Sequence, residues 1–133
     1  MGAYAITLTE GDSAAKADFT LMYPNSTAWS VAAKRGTPVL QSDVSKIYLY
    51  AKALESDAVA WLQLTTDSAL QIAWINGPGA TDGKIRAYFG AGTAGHAGDG
   101  QIYELRVKFT DNTYLTWVKD TINVLQSLID QAA

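Results

Sequence analysis

The sequence predicts an all-β fold, a sandwich or a barrel of seven to nine short antiparallel strands. Three observations carry that reading. Apolar and polar residues alternate with period two along most of the chain. Turn residues recur about every 8–12 positions, the rhythm of sandwiches and small barrels. One segment, residues 103–118, reads as two strands joined by a tight turn at Asp111-Asn112.

The elements follow in order. Ala5-Ile6-Thr7-Leu8-Thr9 alternates apolar and hydroxyl residues, a half-buried strand, and Glu10-Gly11-Asp12-Ser13 is turn chemistry. Ala17, Phe19, Leu21 and Tyr23 then share one face against Lys16, Asp18 and Thr20, and Pro24-Asn25-Ser26 ends that strand. Arg35-Gly36-Thr37-Pro38 is another turn. Residues 45–53 form the central strand, with Ile47, Leu49 and Ala51 on one face and Tyr48, Tyr50 and Lys52 on the other. Both faces are largely apolar, so both are expected to be covered. Residues 54–60 read as a loop, 61–64 and 70–75 as short strands, and Asn76-Gly77-Pro78-Gly79 as a turn. Residues 84–89 alternate again, Ile85, Ala87 and Phe89 against Lys84, Arg86 and Tyr88. A Gly- and Ala-rich loop covers 90–100. In the hairpin, Tyr103, Leu105, Val107 and Phe109 point inward and Glu104, Arg106 and Lys108 outward. The tail from Thr121 fits two patterns. Ile122 and Val124 alternate as in a strand, while Ile122, Leu125, Leu128 and Ile129 also share a helix face. We read a strand to about residue 126, then a frayed end or a short C-terminal helix. No internal repeat or linker divides the chain, so residues 1–133 make a single domain.

Composition narrows the function. The 133 residues are 48% hydrophobic, enough for a real core. Ten basic against 13 acidic residues give a net charge of −3, which argues against a nucleic-acid binder. With no cysteine there is no disulfide or thiolate chemistry, and a single histidine, His96, leaves little for acid–base work near neutral pH. No targeting signal or membrane-length apolar run is visible, so we expect a soluble chain made in a cytoplasm and no membrane partner.

Four motifs look like chemistry. Gly90-Ala91-Gly92-Thr93-Ala94-Gly95 matches the dinucleotide fingerprint letter for letter. That fingerprint works by opening a helix whose N-terminus holds pyrophosphate, and too few residues separate it from the next strand for a helix. Gly77-Pro78-Gly79-Ala80-Thr81-Asp82-Gly83-Lys84 resembles a P-loop, but has the wrong spacing and Ile85 where Ser or Thr is required. His96 has no Cys or second His to complete a metal site, and Asp57, Asp67, Asp82 and Asp99 lack calcium-loop spacing. No elbow motif supports a Ser-His-Asp triad. We therefore expect no enzyme, no cofactor and no metal.

The surface is the remaining signal. Only 17% of residues are charged, against about a quarter in a typical domain. Four Trp and seven Tyr accompany that shortage. Aromatic-rich, charge-poor surface is typical of interface cores. Tyr103, Leu105, Val107, Phe109, Ile47 and Leu49 are the structural core candidates. Trp29, Trp61, Trp74, Tyr48, Tyr50 and Tyr88 are the interface candidates, although a small sandwich can also house such rings in its core.

Three further stretches stand out: Ile6-Thr7-Leu8-Thr9-Glu10-Gly11-Asp12-Ser13, Lys46-Ile47-Tyr48-Leu49-Tyr50-Ala51-Lys52, and Gly98-Asp99-Gly100-Gln101-Ile102-Tyr103-Glu104-Leu105-Arg106-Val107 with the strand that follows. Together they resemble a family of tailed-phage virion proteins, the Ig-like domain at the N-terminus of baseplate upper proteins and some tail-fibre anchors. The resemblance covers residues 5 to about 125. Lys119-Asp120 stands where members carry Gly, and we expect no coiled coil or fibre to follow. A stand-alone connector or a capsid decoration protein is therefore open beside the baseplate role. The resemblance implies an immunoglobulin-like antiparallel β-sandwich in the virion, made in the host cytoplasm. It would be a structural module assembling with other virion proteins and with copies of itself. In such a fold Tyr103 is either an inward core tyrosine or the tyrosine whose hydroxyl bonds back to the preceding corner. The alternative function is a carbohydrate- or receptor-binding module. It would use exposed Trp and Tyr as stacking platforms, with loops 54–60, 76–83 and 90–100 as its site.

Overall fold

A computed structural model describes residues 2–27, 29–90 and 92–128. Among these residues, eight strands form two sheets. They are β1 (Ile6–Thr9), β2 (Lys16–Thr20), β3 (Val44–Lys52), β4 (Leu62–Thr65), β5 (Ile72–Trp74), β6 (Lys84–Tyr88), β7 (Gly98–Phe109) and β8 (Tyr114–Leu125). The larger sheet has the order β1-β8-β7-β3-β4 and the smaller β2-β6-β5. All pairings are antiparallel except β1 with β8, which run parallel. The alternation explains the layering. Ile47, Leu49 and Ala51 of β3 and Tyr103, Leu105, Val107 and Phe109 of β7 are buried facing Phe19, Ile72, Ile85 and Ala87 of the smaller sheet. Each Leu or Ile so enclosed contributes about 1.5–3 kcal/mol relative to exposure.

Two irregularities matter. Leu105 pairs with Val118 but Arg106 pairs with Thr116, so Trp117 is an extra residue in β8. Such a bulge re-aims a side chain. Here Trp117 turns onto the core, and its indole N–H donates to the Met22 carbonyl at 3.2 Å. At Gly83, φ is +70° and a Cβ would lie 2.2 Å from the Leu21 carbonyl oxygen. Only glycine lets the backbone past there, and Leu21 N–H accordingly donates to the Gly83 carbonyl at 2.8 Å.

Several expectations change at the boundaries. The glycine-rich loop ends earlier than residue 100, because β7 already begins at Gly98. The register shift between Gly98 and Gln101 is supported by Gln101, a buried amide that donates to the His96 carbonyl at 2.8 Å. The strand expected over 70–75 shortens to Ile72–Trp74, and Leu70 is 86% exposed. Strand β8 ends at Leu125, and residues 126–128 form neither strand nor helix. The rest of the expected helical end, Ile129 onward, lies outside the described residues.

The hydroxyl of Tyr103 does not return to a corner preceding its own strand. It donates to the Tyr4 carbonyl at 2.5 Å. The Asp120 carboxylate accepts from the Gly2 and Tyr4 N–H groups at 3.2 and 3.1 Å, and the Tyr4 ring packs edge-on against Trp117. These contacts clip the N-terminal segment to β7 and β8 just before β1 pairs.

Candidate functional site: the outer face of the five-stranded sheet

The side chains that β3, β7 and β8 do not bury project together from the outer face of the larger sheet. Register fixes their arrangement. Tyr48 lies beside Arg106 and Tyr50 beside Glu104. On the other side of β7, Thr116 lies beside Arg106, Lys119 beside Glu104 and Tyr114 beside Lys108. Tyr48, Tyr50, Glu104, Arg106 and Tyr114 line a shallow cleft of about 340 Å³. A second, of about 320 Å³, continues from Tyr50 and Glu104 towards Lys52, Glu55 and Lys119. Tyr50 is 37% and Tyr114 55% exposed. Among the described residues, none covers the second face of the central strand, which is lined by a cleft, contrary to the expectation from its apolar character.

The charges of this face are paired both at its centre, where Arg106 meets Glu104, and at its rim. Lys46 pairs with Asp67 at 2.6 Å and its ammonium lies 5.2 Å from the Tyr48 ring. Lys119 pairs with Glu55, which raises the lysine's pKa and lowers the glutamate's. The Lys108 ammonium lies 5.7 Å from the Tyr114 ring. Arg106 meets Glu104 of its own strand at 3.1 Å. Rim pairs this exposed contribute little to stability. Their effect is to leave Arg106, Glu104 and three tyrosine rings as the central features.

Of the interface candidates, Tyr48 and Tyr50 lie on this face. Tyr88 is 37% exposed on the smaller sheet, across from Lys16. Trp29, Trp61 and Trp74 are partly buried and packed on the core. Trp29 meets Tyr23 and Phe109 at 5.4 and 5.2 Å, and Trp61 stacks on His96 at 4.6 Å with a 13° angle. Tyr103, Leu105, Val107, Phe109, Ile47 and Leu49 are all core residues. Sequence reasoning missed Tyr114 as a member of the face. Carrying the alternation back through the Asp111-Asn112 turn places it beside Lys108, so the signal was present.

Two other clusters have chemical character. The Tyr23 hydroxyl donates to the Asp43 carboxylate, which Lys34 also holds, at 2.5 Å. Burial and the Asp43 partner push the Tyr23 hydroxyl up to about 12, so it stays protonated near neutral pH and acts as a latch. The fingerprint-like loop packs inward. Thr93 is fully buried and its hydroxyl oxygen accepts from Gly11 N–H at 2.9 Å. The chain then passes through turns into β7 without a helix. Among the described residues, no group of three or more His, Cys, Asp or Glu side chains is placed to hold a metal ion. Among them, no helix is long and apolar enough to cross a membrane.

No family model matches the chain, and no curated protein matches it.

Proposed function

We propose that the protein is a non-enzymatic assembly module of a tailed-phage particle, sited at the tail as a baseplate or fibre connector, or on the capsid surface as a decoration protein. The observation that carries this reading is the outer face of β3, β7 and β8, where three tyrosines surround an arginine–glutamate pair. Tyr and Arg are the residue types enriched at the centres of protein interfaces. The strand order supports the immunoglobulin-like part of the reading. A sheet ordered β1-β8-β7-β3-β4 over one ordered β2-β6-β5 corresponds to an A′GFCC′ sheet over a BED sheet. The sequence resemblance to virion Ig-like domains points the same way. The sugar-binding alternative has less support, because Trp61 and Trp74 pack on the core.

The test is the composition of purified particles. Mass spectrometry should find the chain in several copies per particle, and Tyr50→Ser should fold but be lost from particles. Absence of the wild-type chain from purified particles, or turnover of a small molecule by the isolated protein, would overturn the proposal.

A further inference from the structure

We infer that the outer face of the five-stranded sheet packs on the same face of a second copy, about a two-fold axis crossing the strands at the level of Leu49 and Leu105. This rests on the assembly role proposed above and names a partner for it.

The inference comes from the order of charges along the strands. Tyr48 and Tyr50 stand two residues apart on one face of β3, and Arg106 and Glu104 stand at the same two levels on β7. An axis crossing the strands midway between those levels leaves each strand over its own copy and exchanges the levels. Arg106 then faces the second copy's Glu104, Glu104 faces its Arg106, and Tyr48 meets its Tyr50. A two-fold contact requires such self-complementarity. The guanidinium has five N–H donors, so Arg106 can hold its own Glu104 and the second copy's together. Two copies thus close a ring of two arginines and two glutamates between tyrosines.

The same operation brings Lys46 over the second copy's Lys52. Both ammonium groups already have partners, Asp67 at 2.6 Å and the Asp57 carbonyl at 2.7 Å. An axis running along the strands instead would set Lys46 over Lys108 and Tyr50 over Glu104, leaving no arginine–glutamate exchange. The area is also adequate. With strands about 4.8 Å apart and same-face residues about 6.8 Å apart, three strands by four levels, with two more positions on β4, project roughly 460 Å². Side-chain relief raises the accessible area towards the about 800 Å² per partner of a standard interface.

Sedimentation equilibrium on charge-swapped variants tests this. Wild type should be a dimer. Arg106→Glu and Glu104→Arg each place like charges across the axis and should weaken dimerisation at least about tenfold. The double variant restores the pattern in mirror order and should recover the dimer. Arg86→Gln, on the opposite face, should change nothing. A wild-type chain that stays monomeric at high concentration, or a double variant no better than the singles, overturns the inference. If wild type is monomeric while Tyr50→Ser is still lost from particles, self-pairing is wrong but the assembly role stands. If Tyr50→Ser is also retained in particles, both fall.

Discussion

On the smaller sheet, Arg86 lies directly across from Asp18 and holds it through two contacts, of 2.6 and 2.9 Å. On the larger sheet, Arg106 touches Glu104 along its own strand at 3.1 Å. The first geometry is bidentate and spans two strands. It raises the pKa of Arg86 and lowers that of Asp18. The second uses Nε, with Nη2 reaching the Thr116 hydroxyl at 3.5 Å, and so leaves other guanidinium donors over. The strands differ too. The smaller sheet has strands of five, three and five residues, whereas β7 and β8 run for 12 each. One outer face is short and satisfied within itself; the other is long, rich in tyrosine, and has binding capacity left over. Both faces carry an arginine–carboxylate pair, and its placement across strands or along one strand makes the difference.

The largest effect should come from removing what both faces share. Leu105 is fully buried between the sheets. Leu105→Ala should destabilise the fold by about 2–5 kcal/mol in chemical denaturation. Both faces should then lose order together, since one core supports them. A smaller effect separates the sheets. Tyr103→Phe removes the bond to the Tyr4 carbonyl and should cost about 1 kcal/mol. Hydrogen exchange should quicken in β1 and its partner β8 and leave β2, β5 and β6 unchanged.

The effects of pH sharpen the contrast further. Asp18, Asp43 and Asp120 all have lowered pKa values. The main causes are the Arg86 bond for Asp18, the Lys34 bond for Asp43 and the Thr121 backbone N–H for Asp120. In the unfolded chain these groups protonate near pH 4. Their stabilisation is therefore present above that pH and is lost as pH falls through their lower folded values. Asp18→Asn should flatten the acid side of a stability–pH curve. On the alkaline side, Tyr23 ionises near pH 10 when unfolded and at about 12 when folded. Stability should fall as pH rises between those values, and Tyr23→Phe should remove that part of the slope.

Much of the fold was legible because alternation reports which side chains share a face. Ile47, Leu49, Leu105 and Val107 were assigned to the core on that basis and are fully buried. The tight turn at Asp111-Asn112 was legible from turn chemistry, and Asn112 has φ of +68°. Alternation says nothing about which face meets a second layer. The outer side of β3 therefore read as covered when Tyr50 is exposed. It is also broken by a bulge, so the inward turn of Trp117 was hidden. The parallel pairing of β1 with β8 joins residues more than a hundred positions apart, as does the Asp120 clip on Gly2. No local pattern records contacts of that range. Tryptophan content marked neither core nor surface, because Trp29, Trp61 and Trp74 each lie at the border.

The larger sheet, not the smaller, is the surface we propose that this protein uses. Hydroxyl-radical footprinting of the assembled and the dissociated protein measures it directly. Assembly should protect Tyr48, Tyr50 and Tyr114, while Tyr88 should label equally in both states. Protection of Tyr88 with unchanged labelling of the three face tyrosines would contradict it.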